Sequence, residues 1–203
     1  GDHRDLPSFP TRRSSDLYHP ASGVLVATGL PDAAQTRPAG FPAGAEALAA
    51  MSISDDGQFL MVADALGRVF RWDGVWSAVA GVTGITALDL WGGECLLASS
   101  GRELFRWQTD GSVRILAQLP LAPGGRMARS AEGKRAVLTA AGGSALMEIN
   151  LETLAVTEIP LSYAVSSVSA APNGEFLLGA EGGDGAWSVD KDLRVSFLPA
   201  AKR

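Results

Sequence analysis

Nucleophilic or acid–base catalysis needs a base or an activated nucleophile, and this sequence offers few. Among its 203 residues the histidines are His3 and His19, and the one cysteine is Cys95. His19 precedes Pro20 in a turn-like stretch, so it reads as a solvated turn residue, not as the base of a Ser-His-Asp or Cys-His arrangement. Cys95 lies in the apolar run CLLAS, where a thiol behaves as a small buried hydrophobe. One cysteine builds neither a disulfide framework nor a Cys-based zinc site. No catalytic residue, metal site or cofactor is therefore expected. The polar chemistry that remains sits in four Gly-containing stretches, ADALGR, SSGR, AAGGS and AEGGDG, which carry Asp64, Arg68, Arg102, Glu181 and Asp184. These five are the candidate ligand-binding residues, a polar rim for a ligand or a cation. The same residue types are also what tight hairpin turns demand.

Whether the five can meet depends on the elements that carry them. Four segments share one plan, starting at Ala50, Ile85, Met127 and Ser166: an apolar run, a turn, a second apolar run, a Gly turn and a third run ending in a large residue. The turn glycines Gly57, Gly93, Gly133 and Gly174 are 36, 40 and 41 residues apart. The large residues Trp72, Trp107, Ile149 and Val189 are 35, 42 and 40 apart, so two independent landmarks give one period. Asp56-Gly57 and Asn173-Gly174 are strong hairpin signals. The second runs FLMVA, CLLAS, AVLTA and FLLGA are nearly continuous in apolar residues, as expected of strands covered on both faces. A fourth strand follows in VWSAVA, SVRILAQL, LAVTEIPL and LRVSFL. One such sheet cannot bury both faces alone, so neighbouring sheets must stack.

Stacked four-stranded antiparallel units of about 40 residues predict an all-β fold of β-propeller type. A sandwich has similarly spaced strands but does not explain recurrence of the same four-element plan. The expected blades are residues 47–81, 82–122, 123–162 and 163–203, preceded over 18–46 by the end of a truncated blade and a connector. In that remnant HPASG is the expected turn and VLVAT a strand. Loops joining second to third strands would then gather the five candidates at one mouth of the channel. Trp72, Trp107 and Trp187 fall at or near inter-sheet positions, and Trp91, beside Gly92-Gly93, is the tryptophan most open to exposure.

Residues 1–17, GDHRDLPSFPTRRSSDL, resemble the translation of a short-read sequencing adapter, departing from it only at Pro7, where the adapter reads His. The expectation is a foreign scar, unpacked against the fold, on a chain whose native beginning is missing. The runs SDDGQFLMVAD and APNGEFLLGAE resemble the strand pair of bacterial YVTN/YncE-like, WD40-like propeller repeats, and YHPASGVLVAT resembles their closing hairpin. Trp72-Asp73 is the only Trp-Asp pair and there is no Gly-His pair, so regulatory WD40 proteins are the poorer match. The resemblance implies a binding or scaffold module for a protein or small ligand, outside the cytoplasm. The alternative it leaves open is a lactonase-like or other propeller hydrolase whose site lies elsewhere in a longer protein.

Composition narrows the partners. Lys and Arg number 17 against 22 Asp and Glu, a formal charge of -5, which gives nucleic acid no basic face. The longest apolar stretch, 75–88, falls short of the roughly 18 residues that a membrane helix requires.

Overall fold

The computed structural model describes residues 15–19, 24–28, 39–40, 44–54, 59–180 and 185–199. It begins with a small sheet of β1 (Ser15–His19), β2 (Val24–Thr28) and β3 (Ala39–Gly40), paired in that order. Four four-stranded antiparallel sheets follow. The first holds β4 (Leu48–Ile53), β5 (Leu60–Asp64), β6 (Val69–Trp72) and β7 (Trp76–Ala78), and the second β8 (Ile85–Trp91), β9 (Glu94–Ser99), β10 (Glu103–Gln108) and β11 (Val113–Gln118). The third comprises β12 (Pro123–Arg129), β13 (Arg135–Ala140), β14 (Ala145–Asn150) and β15 (Val156–Pro160). The fourth is β16 (Val165–Ala170), β17 (Phe176–Ala180), β18 (Gly185–Val189) and β19 (Val195–Pro199). The described residues contain no helix, hence none long and apolar enough to cross a membrane.

Each sheet is a meander in chain order, and the first strands β4, β8, β12 and β16 pack against one another in sequence. This is the blade stack of a β-propeller. The period-2 alternation of side chains explains why the second strands are apolar throughout. In β9, Cys95 and Leu97, together with Phe105 and Trp107 of β10, face the first blade and form a core with its Met61, Ala63 and Val69. Leu96 and Ala98 face the third blade and meet Ala136, Leu138, Met147 and Ile149. The pattern advances one blade further, where Val137 and Leu146 meet Phe176, Leu178 and Val189. In β17 the residues facing the third blade, Phe176 and Leu178, are buried, while Leu177 on the other face is only half-buried. Each fully buried Leu or Phe contributes about 1.5–3 kcal/mol, so stability resides between blades as much as within them.

The large residues ending the third strands fill these gaps as their spacing implies. Trp107, Ile149 and Val189 are buried, and Trp72 packs with Trp76, Met51 and Ile53 on the outer face of the first blade. Trp187 is half-buried and stacks on Tyr163 at 3.8 Å between ring centroids.

Two expectations about the start of the chain need correction. Of residues 1–17, expected to be unpacked, 1–14 lie outside the described residues, while Ser15, Asp16 and Leu17 are strand residues paired with Thr28, Ala27 and Val26. His19 is not in a turn but ends β1 opposite Val24, because the VLVAT strand supplies a complete hydrogen-bonding edge for the residues before it. The Asp56-Gly57 hairpin lies outside the described residues.

Candidate functional site

At one end of the blades, the turn between the second and third strands lies against the entry of the next blade. The first such turn is built around Asp64, whose side chain is fully buried. Its Oδ1 accepts the backbone N–H groups of Leu66 (3.0 Å) and Arg68 (2.9 Å). Its Oδ2 accepts Glu46 N–H (3.1 Å) and Arg68 Nε–H (2.8 Å), and Arg68 Nη2 lies 2.6 Å from the same oxygen. Arg68 Nη2 also donates to the Gly44 carbonyl. Asp64 and Arg68 are thus brought together, and their polar capacity is spent on holding the turn. Burial raises the Asp64 pKa, but the hydrogen bonds from Arg68 and Glu46 outweigh it and hold the carboxyl below its ordinary value.

A depressed folded-state pKa means that stability is present above the unfolded pKa near 3.8 and is lost as pH falls through the folded value. Asp64→Asn is therefore expected to cost about 1.5–3 kcal/mol at neutral pH. The deficit should shrink as pH is lowered through and below 4, which urea denaturation at pH 7 and pH 3 reads directly.

Gly67 completes this turn with φ of 72°, its N–H donating to Asp64 O (2.8 Å) and its carbonyl accepting Ile85 N–H (2.9 Å) at the start of the second blade. The third blade repeats the device: Gly143 N–H bonds Ala140 O, and Val165 N–H bonds Gly143 O. In the second blade Arg102 occupies the corresponding position, with φ of 65° and its N–H on Ser99 O. Its guanidinium is exposed and donates to Pro120 O at 3.3 Å. A non-Gly residue in the left-handed region costs roughly 1–2 kcal/mol. Arg102→Gly removes that strain and adds about 0.5–1 kcal/mol of chain entropy cost. A small net gain in unfolding free energy, about 0.5–1 kcal/mol, read as a raised urea midpoint, is the expected result. Glu181 and Asp184, in the fourth such turn, lie outside the described residues.

The first strands add a feature that residue spacing does not reveal. Each carries a β-bulge near this end, between Leu48 and Ala50, Ile85 and Ala87, Pro123 and Met127, and Val165 and Ser167. Three of them insert one residue, Ala49, Thr86 and Ser166, whereas in the third blade Gly124, Gly125 and Arg126 stand opposite Thr139 alone, an excess of two. A Cβ at Gly124 would overlap the carbonyl of Ala140, and Gly125 has φ of 90°, so only glycines fit this enlarged bulge. Arg126 is exposed, its Nε–H donates to Ser166 O of the fourth blade (2.9 Å), and its backbone is fixed on both sides by the Thr139 hydroxyl. Bulges recur where a sheet must re-aim a side chain. The signal available in sequence was Pro123-Gly124-Gly125 just ahead of an alternating run.

The opposite end is structural. Arg129 is buried and its Nη1 bonds Glu94 Oε1 (2.5 Å), while Arg106 Nε lies 3.3 Å from Glu94 Oε2 and Arg129 Nε 3.7 Å from Asp89 Oδ2. The Arg129 guanidinium also lies 5.4 Å from the centre of the Trp91 ring. Trp91 is half-buried, with its ring against Gly133 in the next blade's hairpin. It is a strut between blades rather than an open platform. Cys95 is fully buried, and desolvation pushes its thiol pKa far up, which makes it a poor nucleophile. Among the described residues no group of three His, Cys, Asp or Glu converges to hold a metal ion.

No protein-family model matches the chain, and no curated protein matches it in sequence. Solved β-propeller structures resemble it in fold. The streptogramin B lyase structure is 13% identical at a TM-score of 0.66, over 93% of this chain and 68% of the other. A nidogen/laminin complex gives 14% identity and a TM-score of 0.62, over 83% and 72%. YCF48 bound to D1 peptide gives 15% and 0.62, over 87% and 61%, so this chain spans less than two thirds of that protein.

Proposed function

We propose that the chain is a non-catalytic propeller module that binds a protein or small ligand at the end carrying the second-to-third-strand turns and the first-strand bulges. The supporting observation is what that end presents. Leu66, at the tip of the first turn, is 62% exposed despite being a large apolar residue. Arg102, in the equivalent turn of the second blade, and Arg126, in the first-strand bulge of the third, are exposed at the same end, and neither has a carboxylate partner among the described residues. Apolar and cationic groups on a rigid scaffold are a binding surface, since the cost of ordering them has been met by the fold. Propeller structures of similar fold include a laminin-bound nidogen and a peptide-bound YCF48, which favours a macromolecular or peptide partner by analogy of fold alone. The finer reading is a bacterial YVTN/YncE-like repeat protein acting outside the cytoplasm, resting on SDDGQFLMVAD and APNGEFLLGAE.

The test compares two positions for a photo-cross-linking residue, Leu66 at the proposed end and Glu132 at the other, together with turnover of lactone and ester substrates with and without divalent cations. Saturable adducts from Leu66 but not Glu132, with no turnover above background, are expected. Metal-dependent lactone hydrolysis by the intact chain, or adducts from Glu132 alone, would overturn the reading.

A further inference from the structure

The enlarged bulge of the third blade points to a defined ligand group. Arg126 differs from the arginines at the blade interfaces. Arg71 pairs with Asp73, Arg106 and Arg129 with Glu94, and Arg135 with Glu148. Arg126 instead spends its Nε–H on the Ser166 carbonyl, and among the described residues nothing engages the Nη1–Nη2 edge of its guanidinium. That edge presents two parallel N–H donors, the geometry that takes a carboxylate bidentately. Fixing Nε on a backbone carbonyl removes much of the side chain's rotational freedom, which lowers the ordering cost on binding.

The neighbours restrict what the carboxylate is attached to. Thr86 of the second blade and Ser166 of the fourth are the bulge residues on either side, and the Thr86 carbonyl lies against Gly125. Thr86 Oγ1 donates to Ala98 O (3.4 Å) and Ser166 Oγ donates to Gly179 O (3.1 Å). With their protons so engaged, both hydroxyls offer only lone pairs to a ligand. The bulges on both sides of Arg126 thus carry acceptor oxygens, which suits an anion with an N–H donor of its own.

We propose that Arg126, flanked by Thr86 and Ser166, binds a carboxylate whose neighbouring carbon bears an N–H group: the end group of an N-acyl amino acid or of a peptide chain. This deepens the binding-module reading and rests on it. Both sources share the recognised chemistry, and they differ in what lies beyond the acyl group.

The test is a titration of the ¹⁵N-labelled full chain followed by NMR. N-acetylglycine is the probe, with N-acetylglycinamide lacking the carboxylate, acetate lacking the N–H, and tetraglycine supplying a peptide terminus. Saturable shifts of the Thr86, Arg126 and Ser166 amides by N-acetylglycine are expected, at least about tenfold weaker with acetate and absent with the amide. Tighter binding of tetraglycine than of N-acetylglycine would assign the peptide source, and equal binding the small acid. Arg126→Gln and Arg126→Lys should each weaken binding by about tenfold or more, with unchanged thermal midpoints showing that both variants fold. Shifts that do not saturate, that persist in Arg126→Gln, or that map to Arg102 instead would overturn the assignment. If these shifts fail while Leu66 still gives saturable cross-links, the carboxylate site alone is lost. If Leu66 fails as well, the module reading falls with it.

Discussion

Gly67→Ala is expected to destabilise the chain by about 3–5 kcal/mol, a large share of the stability of an ordinary domain. Three effects coincide there. A Cβ would sit 2.5 Å from Gly84 C and from Ile85 N, backbone atoms that cannot swing aside. The residue must also keep φ of 72°, which costs alanine about 1–2 kcal/mol. Relief of the overlap would stretch the Ile85 N–H bond to the Gly67 carbonyl, which is worth about 1 kcal/mol. Gly81→Ala is the control: φ there is 81°, but a Cβ would meet open space. It should cost only the conformational term, about 1–2 kcal/mol. Urea midpoints for the two variants separate blade-to-blade contact from backbone strain. Equal losses would mean that the turn does not press on the next blade.

Arg129→Leu carries the second large effect, a loss of about 2–4 kcal/mol. By strand register Arg129 stands where the second blade has Leu90, since Arg129 pairs with Ala136 as Leu90 pairs with Cys95. Leucine thus fits the position sterically. The cost is electrostatic: Glu94 loses a 2.5 Å partner and Asp89 a cation near its carboxylate, both in a half-buried setting. Arg106 still neutralises part of Glu94, which keeps the loss below that of a fully orphaned buried charge. Pairing Arg129→Leu with Glu94→Gln should recover part of the deficit, giving a coupling of roughly 1–2 kcal/mol in a double-mutant cycle. A single variant as stable as the parent would show that the charge cluster contributes nothing to blade docking.

Much of this architecture was legible in sequence. The alternation of FLMVA, CLLAS and AVLTA, with every residue apolar or small, required two covered faces. The cores on either side of β9 show the cause, with Cys95 and Leu97 turned one way and Leu96 and Ala98 the other. Trp107 was readable as an inter-sheet residue because its place in the repeat recurs. The site was less legible, because the same residue types serve turns and ligands. Asp64 and Arg68 stand out in sequence as candidate ligand-binding residues of one turn, but only coordinates reveal that four hydrogen bonds engage the carboxylate. Arg126 is not legible in sequence because a bulge breaks the register by which repeats are aligned, and Pro123-Gly124-Gly125 precedes the repeated segment that starts at Met127. Arg129 is not legible for the opposite reason: an apolar strand position does not announce a charge whose partners lie 35 and 40 residues away. Trp91 looked exposed because it adjoins a Gly-Gly turn, whereas the turn delivers its ring onto the neighbouring hairpin.

All of these readings depend on each blade stacking on the next with an offset of one repeat. The most direct measurement is a NOESY spectrum of the labelled chain, examined for contact between the Trp91 ring and the Gly133 α-protons. The stacked blades predict cross-peaks from the six-membered edge of the indole to Gly133, with one Gly133 α-proton shifted upfield by the ring current. An ordinary Gly133 shift with no such cross-peaks, in a chain that is otherwise folded, would contradict the stacking and the binding end built on it.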